Sequence, residues 1–240
     1  MKQPKAQKIL TTKNAKLLKG GGIGFLTAGI HFAPASLSGH NVCAGSSAGC
    51  RMACLATSGH GRYARVQEAR VIKTQRFYNE RESFMAQLVK EIEAVIRKAK
   101  RDNLTPAFRL NLTSDVAWEN IQYQGKTVFE HFPDVNFYDY SKIIKRVLPN
   151  SKARSFPNYH LTFSRSESNQ AFVELAVNAG VNVAVVFAGA TLPKTYLGRP
   201  VISGDETDVR FLDAKGVIVG LTTKGRAKHD KSGFVVPASI

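Results

Sequence analysis

Two patterns of hydrophobic residues alternate along the chain. Short apolar runs rich in β-branched and aromatic residues indicate buried strands, whereas apolar positions that recur every three or four residues indicate helices. The strands are predicted at residues 23–32, 107–112, 135–138, 159–163, 181–187 and 217–221, with a weaker one at 199–202. The helices are predicted at residues 65–101, 141–148 and 169–179.

This order of strands and helices predicts βα units and a parallel sheet. Six or seven such units in 240 residues fit a single α/β barrel, complete or partial and similar to a TIM barrel, better than two domains. A long loop rich in Gly, Ser and Cys, residues 34–61, follows the first predicted strand. The sequence therefore predicts a basic tail over residues 1–19 and one α/β barrel domain over residues 20–240.

Basic residues outnumber acidic ones. Lys and Arg total 34 against 18 Asp and Glu, which gives a formal charge of +16. A field of this sign attracts nucleic acid and other polyanions, although it also serves solubility. No apolar run approaches the roughly 20 residues that span a bilayer, and residues 1–19 lack a signal-peptide core. These features predict a cytoplasmic protein with no membrane association.

Polar side chains gather just after the predicted strands. Because the carboxyl ends of parallel strands meet at one side of a barrel, we expect these side chains to line one pocket. Their mixture of carboxylates with Arg and Lys suits a small polar or anionic ligand. Two other interpretations stay open, namely caps of the following helices and a network of ion pairs that closes the barrel mouth. The candidate pocket residues are Asn111, Ser114, Asp115, Asp139, Ser164, Glu167, Asp205, Asp208, Arg210 and Lys224.

The three cysteines form the strongest chemical signal. Cys43, Cys50 and Cys54 lie in the loop after the first predicted strand, with the spacing C-x6-C-x3-C. An odd, clustered set argues against a secreted disulfide scaffold, and the small residues between the first two cysteines let the loop wrap around a centre. Cys50 and Cys54 are expected one helical turn apart on one face of a helix. The pattern favours three thiolate ligands of one metal centre.

Three interpretations compete for these thiols. A [4Fe–4S] cluster would take three cysteine ligands and leave its fourth iron open or bound to another residue. A zinc ion would take its fourth ligand from His31, His40 or His60. Free thiols are also often simply buried in a protein core. The sequence has no second cysteine pair of the zinc-ribbon kind, which favours the cluster.

The position of the cysteine loop resembles that of the radical S-adenosylmethionine (SAM) enzymes. Those enzymes bind a [4Fe–4S] cluster through three cysteines in the loop after the first strand of a partial barrel, and the fourth iron chelates SAM. Their usual spacing is C-x3-C-x2-C, whereas this chain has C-x6-C-x3-C, with Ala53 in place of their aromatic residue. The resemblance lies in architecture and implies SAM as a further candidate cofactor.

A second resemblance covers nearly the whole chain. Its segments are similar to those of the phage gene product 88 family, at residues 41–43 with Cys50 and Cys54, and at residues 109–115, 137–142, 203–213, 220–225 and 233–235. The resemblance implies a phage protein, placed in the host cytoplasm, with a metal or iron–sulfur centre. It implies no particular reaction.

These observations predict a phage iron–sulfur protein in which Cys43, Cys50 and Cys54 hold a [4Fe–4S] cluster beside the polar pocket. Redox or radical-SAM-like chemistry on a small molecule would make it an oxidoreductase or a SAM-dependent enzyme, although the sequence assigns no catalytic residue. The alternative is a basic nucleic-acid-binding protein with a structural zinc or iron–sulfur site. That alternative depends on charge alone, since the chain has no RRM, zinc-finger or helix-turn-helix signature.

Overall fold

The computed structural model describes residues 7–238. The strands are β1 (Leu10–Thr11), β2 (Phe25–Ile30), β3 (Thr105–Arg109), β4 (Gln122–Tyr123), β5 (Lys126–Thr127), β6 (Asn136–Ser141), β7 (Tyr159–Ser164), β8 (Val183–Phe187), β9 (Thr195–Tyr196), β10 (Arg199–Ser203) and β11 (Ile218–Thr222). The α-helices are α1 (Ala15–Leu18), α2 (Ala35–Ser38), α3 (Ala48–Met52), α4 (Ala64–Asn79), α5 (Arg81–Arg101), α6 (Val128–His131), α7 (Ile144–Val147) and α8 (Gln170–Asn178). The 3₁₀ helices are Gly21–Ile23, Leu55–Thr57, Gly59–Arg62, Trp118–Asn120, Lys152–Ser155, Arg210–Leu212 and Gly225–His229.

One large sheet organises the described part of the chain. Its nine strands run in the order β1-β2-β3-β6-β7-β8-β11-β10-β9, and every pair from β2 to β10 is parallel. The two end strands, β1 and β9, pair antiparallel with their neighbours. Consecutive strands connected through helices become neighbours in this sheet, as the alternation of the two patterns of hydrophobic residues indicates.

The predicted α/β class with a mostly parallel sheet is confirmed, but a closed barrel is not formed by residues 7–238. The sheet ends at β1 on one side and at β9 on the other, and no pairing between these two strands closes it there. Both end strands are only two residues long and run antiparallel to their neighbours, so they terminate the parallel ladder instead of continuing it.

The hydrophobic core lies between one face of the sheet and the longer helices. Phe108 and Phe137 stack on this face with ring centroids 5.5 Å apart, and both are fully buried. Helix α5 covers it with an apolar stripe that includes Phe84, Leu88 and Ile92, which are buried as their spacing predicts. The predicted single helix over residues 65–101 is instead two helices, because the backbone of Glu80 leaves the helical conformation with φ −131° and ψ 47°.

Part of the predicted basic tail contributes to the sheet. Ile9 is fully buried, and Leu10 pairs with Ile30 of β2. The carboxylate of Glu91 on α5 accepts hydrogen bonds from the backbone N–H groups of Ile9, at 3.0 Å, and Leu10, at 2.7 Å. Residues 1–6 of the predicted tail lie outside the described range, and the domain boundary after residue 19 stays a prediction.

The second face of the sheet is polar near its centre. Arg109, Tyr138 and Tyr140 alternate with the core-facing residues of β3 and β6, which places them on this face. The 3₁₀ helix Arg210–Leu212 packs here, with the ring of Phe211 centred 5.7 Å from that of Tyr138. This face leads to the carboxyl edge of the sheet, where the candidate site lies.

Within residues 7–238, none of the helices has the length and apolar content that crossing a membrane would require.

Candidate functional site

A cavity of about 210 Å³ opens at the carboxyl edge of the parallel strands. Its wall combines the cysteine loop after β2 with the ends of β3, β6, β7 and β11. Of the predicted pocket residues, five line this cavity: Asn111, Ser114, Asp115, Ser164 and Lys224. All three cysteines line it as well. Parallel strands that end at one edge thus bring residues from distant parts of the chain to one cavity.

The predicted [4Fe–4S] cluster is wrong for this structure. Residues 7–238 contain no group of three or more His, Cys, Asp or Glu side chains that could hold a metal ion. Cys43, Cys50 and Cys54 border the same cavity without converging on one point, so these residues do not fit the cluster. The same finding removes the zinc interpretation, and with it the structural metal of the alternative function. Without a cluster there is no open iron for SAM to chelate, and binding of SAM itself stays a prediction.

Local hydrogen bonds explain why the thiols do not converge. The Cys43 thiol faces the carbonyl of Thr113, with the sulfur 3.8 Å from the oxygen. Helix α3 ends at Met52, so Cys54 does not share a helix face with Cys50 as the spacing predicts. Cys54 instead caps the 3₁₀ helix Leu55–Thr57, where its sulfur accepts a hydrogen bond from the Ala56 N–H at 3.4 Å.

Burial keeps two of the thiols protonated. Burial, and to a lesser degree the neighbouring Asp115 carboxylate, raise the pKa of Cys43 to about 12. Burial also raises the pKa of Cys50, against the opposing effect of Lys142. The thiolate is the form that attacks electrophiles and binds metals. Cys43 and Cys50 are therefore neutral, weakly polar parts of the cavity wall at neutral pH.

Glu167, a predicted pocket residue, holds the cysteine loop and does not line the cavity. Its carboxylate accepts hydrogen bonds from the Ser47 hydroxyl and from the Gly49 N–H, both at 2.7 Å. Ser47 in turn caps α3 by accepting from the Cys50 N–H at 3.2 Å. Desolvation raises the pKa of Glu167, but these hydrogen bonds outweigh it and hold the pKa below its ordinary value. Glu167 thus fixes the start of the helix that carries Cys50.

Two of the three cations on the cavity wall are matched by carboxylates. Arg109 is buried and donates to both oxygens of Asp208 at 2.9 Å. Lys224 pairs with Asp205. Burial raises the pKa of Asp205, but hydrogen bonds from Lys224 and from Thr222 lower it to about 2, so this carboxylate is ionised. Asp205 and Asp208, both predicted pocket residues, therefore do not line the cavity but form ion pairs with Lys224 and Arg109, which do.

The third cation, Lys142, forms no ion pair with a carboxylate of the described residues. Its ammonium group donates to the Ser164 hydroxyl at 2.6 Å and reaches the Arg165 carbonyl at 3.5 Å. It also lies 5.5 Å from the ring centroid of Phe234.

Asp115 is the acidic residue among those that line the cavity, and Arg146, which does not line it, balances its charge. Arg146 pairs with it and also donates to Glu119 at 2.7 and 2.9 Å. Asp115 accepts a further hydrogen bond from the Lys142 N–H at 2.9 Å. Burial raises its pKa, against the attraction of Arg146. Asp115 therefore joins the backbone of Lys142 to the buried core.

Asp139 does not line the cavity but holds residues of its wall in place through hydrogen bonds. Its carboxylate accepts from the Asn111 N–H at 2.7 Å, from the Asn111 amide at 3.1 Å and from the Tyr159 hydroxyl at 3.1 Å. Asp139 is fully buried, and this burial raises its pKa to about 7 despite those hydrogen bonds. Asn111 also accepts from the Ser114 hydroxyl at 2.7 Å, so this network sets the orientation of two wall residues.

Arg210, also a predicted pocket residue, neither lines the cavity nor forms an ion pair with a residue of its wall, although its charge acts on the buried Tyr140 hydroxyl. It is 3% exposed and faces Asp213, with 3.4 Å between Nε and Oδ2. It borders a second cavity of about 310 Å³ together with Arg154 and His160. The 3₁₀ helix Arg210–Leu212 follows a loop after β10 that returns across the polar sheet face, so position after a strand does not put Arg210 at the carboxyl edge.

Three functional candidates were missed from the sequence, namely Arg109, Tyr140 and Lys142, all of which line the cavity. Arg109 lies inside a strand, whereas the prediction used polar residues that follow strands. Tyr140 belongs to β6 in the structure but follows the predicted strand at residues 135–138, so it carried that signal. Lys142 directly follows β6 and carries that signal. The apolar part of the wall, which includes Leu112, Leu221 and Phe234, has no polar signature in the sequence.

The fold and the cavity define an α/β protein whose parallel sheet ends at a thiol-lined pocket with one cation that lacks a carboxylate partner in the described residues. A family model described as Gene product 88 matches residues 5–238 of the chain. The chain therefore belongs to the gene product 88 family, which confirms the resemblance found in its sequence and identifies it as a phage protein. Comparison with curated proteins and with solved structures gives no match.

Proposed function

We propose that this protein binds a small organic anion in the cavity at the carboxyl edge of its sheet. The observation that carries the proposal is the position of Lys142, a cation on the wall of a partly buried cavity that forms no ion pair with an acidic side chain of residues 7–238. Arg109 and Lys224 have carboxylate partners, and Asp115 has Arg146. These pairs leave the charge of Lys142 to be matched by a ligand.

The remainder of the wall fits the rest of such a ligand. Leu112, Val186, Leu221 and Phe234 offer apolar surface to a hydrocarbon portion. The cavity, at about 210 Å³, is smaller than the roughly 300–1,000 Å³ of sites for drug-sized molecules. The proposed ligand is therefore the size of a small metabolite, with an anionic group that accepts a charge-assisted hydrogen bond from Lys142. Action in the host cytoplasm and binding of nucleic acid both stay predictions.

Replacement of Lys142 tests the proposal. Lys142→Met removes the charge and keeps a chain of similar length, whereas Lys145→Met makes the same change at an exposed position of α7. Calorimetry with straight-chain carboxylates from butyrate to octanoate measures binding. A hydrogen bond to a charged group contributes about 1.5–3 kcal/mol, so we expect Lys142→Met to weaken binding by roughly ten- to a hundredfold.

Lys145→Met should bind these acids as the unaltered protein does. Equal affinity of the Lys142→Met variant and the unaltered protein for every acid in the series would refute the proposal. So would a series in which no acid binds the unaltered protein.

A further inference from the structure

Two segments that are far apart in the sequence form one surface beside the cavity. The first, residues 51–65, includes the end of the cysteine loop and the start of α4, and the second is residues 224–231. Leu55 of the first segment and Ala227 of the second both line the cavity. The segments are also in contact, because a Cβ atom at Gly225 would lie 2.9 Å from Cβ of Ser58.

Basic side chains dominate the exposed part of this surface. Within residues 7–238, six of them are exposed and form no ion pair with an acidic side chain. Because no carboxylate of the described chain is paired with them, their charges face the solvent. The six residues, here called the basic rim, are Arg51, Arg62, Arg65, Arg226, Lys228 and Lys231.

The acidic residues near the basic rim reduce its charge without cancelling it. Glu68 is exposed on α4, Glu167 accepts hydrogen bonds from the cysteine loop, and Asp230 accepts them from the loop that follows it. The ion pair of Asp205 with Lys224 adds no net charge. Six cations therefore lie beside three unpaired negative charges, and the surface is positive.

Two further arginines add to this positive field. Arg70 donates to the carbonyl of Ala56 at 2.7 Å. Arg165 donates to the carbonyls of Gly233 and Phe234 at 2.9 and 3.0 Å. Both hold the backbone of the surface and keep their charge, so a polyanion is the partner that fits it.

An exposed aromatic ring lies among these cations. Tyr63 is 52% exposed, and the guanidinium carbon of Arg62 lies 5.8 Å from its ring centroid. The ring of His60 is centred 5.7 Å from that of Tyr63. Proteins that bind single-stranded nucleic acid combine basic surfaces, which follow the phosphates, with aromatic rings on which bases stack. The bases of a duplex are already stacked on one another and do not offer their faces.

We propose that the basic rim binds single-stranded nucleic acid, with phosphate groups on its cations and a base stacked on Tyr63. Neither the rim residues nor Tyr63 line the cavity, so this surface is separate from the site of the proposed function. It also needs no metal, unlike the nucleic-acid-binding alternative that the sequence suggests.

An anionic membrane is the competing partner for a basic surface. Met52, Leu55 and Tyr63 are exposed in the first segment and could enter lipid. Residues 224–231, however, expose no large apolar side chain. Half of the surface thus offers charge alone, which suits a phosphate backbone better than insertion into a bilayer.

The first test measures the salt dependence of binding by fluorescence anisotropy. The probe is a labelled oligothymidine of about 16 nucleotides, long enough to fill one site. Lys228→Gln/Lys231→Gln removes two rim cations. Lys90→Gln/Lys100→Gln is the matched control, because it removes two exposed lysines of α5 that form no ion pair in the described chain.

Each phosphate contact on a single strand contributes about 0.7 to the slope of log affinity against log salt concentration. Between about 50 and 200 mM salt, the slope should therefore be less steep by about 1.4 in Lys228→Gln/Lys231→Gln. It should be unchanged in Lys90→Gln/Lys100→Gln. Equal slopes of these two variants would overturn the proposal.

The second test examines the stacked base. Tyr63→Leu keeps an apolar side chain but removes the ring, and Phe172→Leu makes the same kind of change at an aromatic residue of α8 that is 48% exposed. We expect Tyr63→Leu to bind oligothymidine about fivefold more weakly, as the lower end of base–aromatic stacking allows, and to keep the salt slope. Phe172→Leu should bind as the unaltered protein does. Equal affinity of the two variants would overturn the assignment of a base to Tyr63.

The identity of the partner follows from the choice of probe. Oligouridine of the same length is compared with oligothymidine, and tighter binding of one identifies the partner as RNA or DNA. Absence of binding to both at about 50 mM salt would overturn the proposal. So would a duplex of the same length, or phosphatidylserine vesicles, that bind the protein more tightly than either single strand.

Discussion

The N–H of Gly49 donates a 2.7 Å hydrogen bond to the carboxylate of Glu167, 118 residues further along the chain. This contact joins the cysteine loop after β2 to the segment after β7. It also explains why a glycine stands at this position, because a Cβ atom there would lie 2.8 Å from Cδ of Glu167 and closer still to the hydroxyl of Ser232.

Gly49→Ala is expected to destabilise the protein and to displace α3. The added methyl group meets a carboxylate and a hydroxyl that are held by other hydrogen bonds, and overpacking of this kind costs about 1–3 kcal/mol. Gly21→Ala is the control, because a Cβ atom there has no neighbour within 4 Å. Urea unfolding measures both variants, and equal stability of the two would contradict the close approach of Gly49 to Glu167.

Removal of the Glu167 side chain should loosen the same loop. In Glu167→Ala, the Gly49 N–H and the Ser47 hydroxyl both lose their acceptor, which corresponds to roughly 1–3 kcal/mol of unfolding free energy. Glu174→Ala removes an exposed carboxylate of α8 as a control. Amide hydrogen exchange across residues 47–52 reports the loosening directly. Unchanged protection of these amides in Glu167→Ala would show that the carboxylate does not hold α3.

Asp139 should make the stability of the protein fall as the pH rises. Its folded pKa of about 7 lies above that of an unfolded Asp, so the folded state binds the proton more tightly. Its contribution is therefore greatest below the unfolded pKa, near 4, and is lost as the pH rises through about 7. Asp139→Asn removes this titration and keeps the shape of the side chain.

Urea unfolding between pH 4 and pH 8 tests this expectation. The free energy of unfolding of the unaltered protein should fall relative to that of Asp139→Asn across this range, because the variant lacks the titrating group. A difference that stays constant with pH, or one that grows in the opposite direction, would show that the pKa of Asp139 is not raised by burial.

Arg146 is expected to be the most sensitive charged residue behind the cavity. It pairs with Asp115 and Glu119, and it donates to the Tyr159 hydroxyl at 3.1 Å. Arg146→Ala leaves two buried carboxylates without their cation, a change that costs about 3–5 kcal/mol. Lys145→Ala, at the exposed position next to it, should be within experimental error of the unaltered protein. Thermal unfolding compares the two, and similar melting temperatures would mean that the network is not required.

Hydrophobic patterning could predict the sheet, because its parallel strands form short runs rich in apolar residues that stand out from amphipathic helices. It could not predict the length of β6, which was expected at residues 135–138 and spans Asn136–Ser141. The extra residues Asp139 and Ser141 are polar, and they are buried because Asn111 and Arg146 satisfy them from elsewhere in the chain. Partners distant in sequence leave no local signal.

The cysteines show the same limit at the site. Their spacing could predict that they share a loop after the first long strand, and that loop does border the cavity. Spacing could not predict that α3 would stop at Met52 and that Cys54 would cap the next turn. Convergence of ligands on a metal depends on such local backbone geometry, which three cysteines in twelve residues do not fix.

The two ends of the sheet bear on how copies of this protein behave when they are crowded together. An open sheet exposes unpaired backbone groups along its outer strands, and a long outer strand can extend into another chain and start aggregation. Here the outer strands β1 and β9 are each two residues long. Exposed lysines flank them, Lys8 and Lys13 on one side and Lys194 on the other, and Pro200 interrupts the amide row of the adjacent strand. An open nine-stranded sheet is thereby shielded from stacking edge to edge with its own copies.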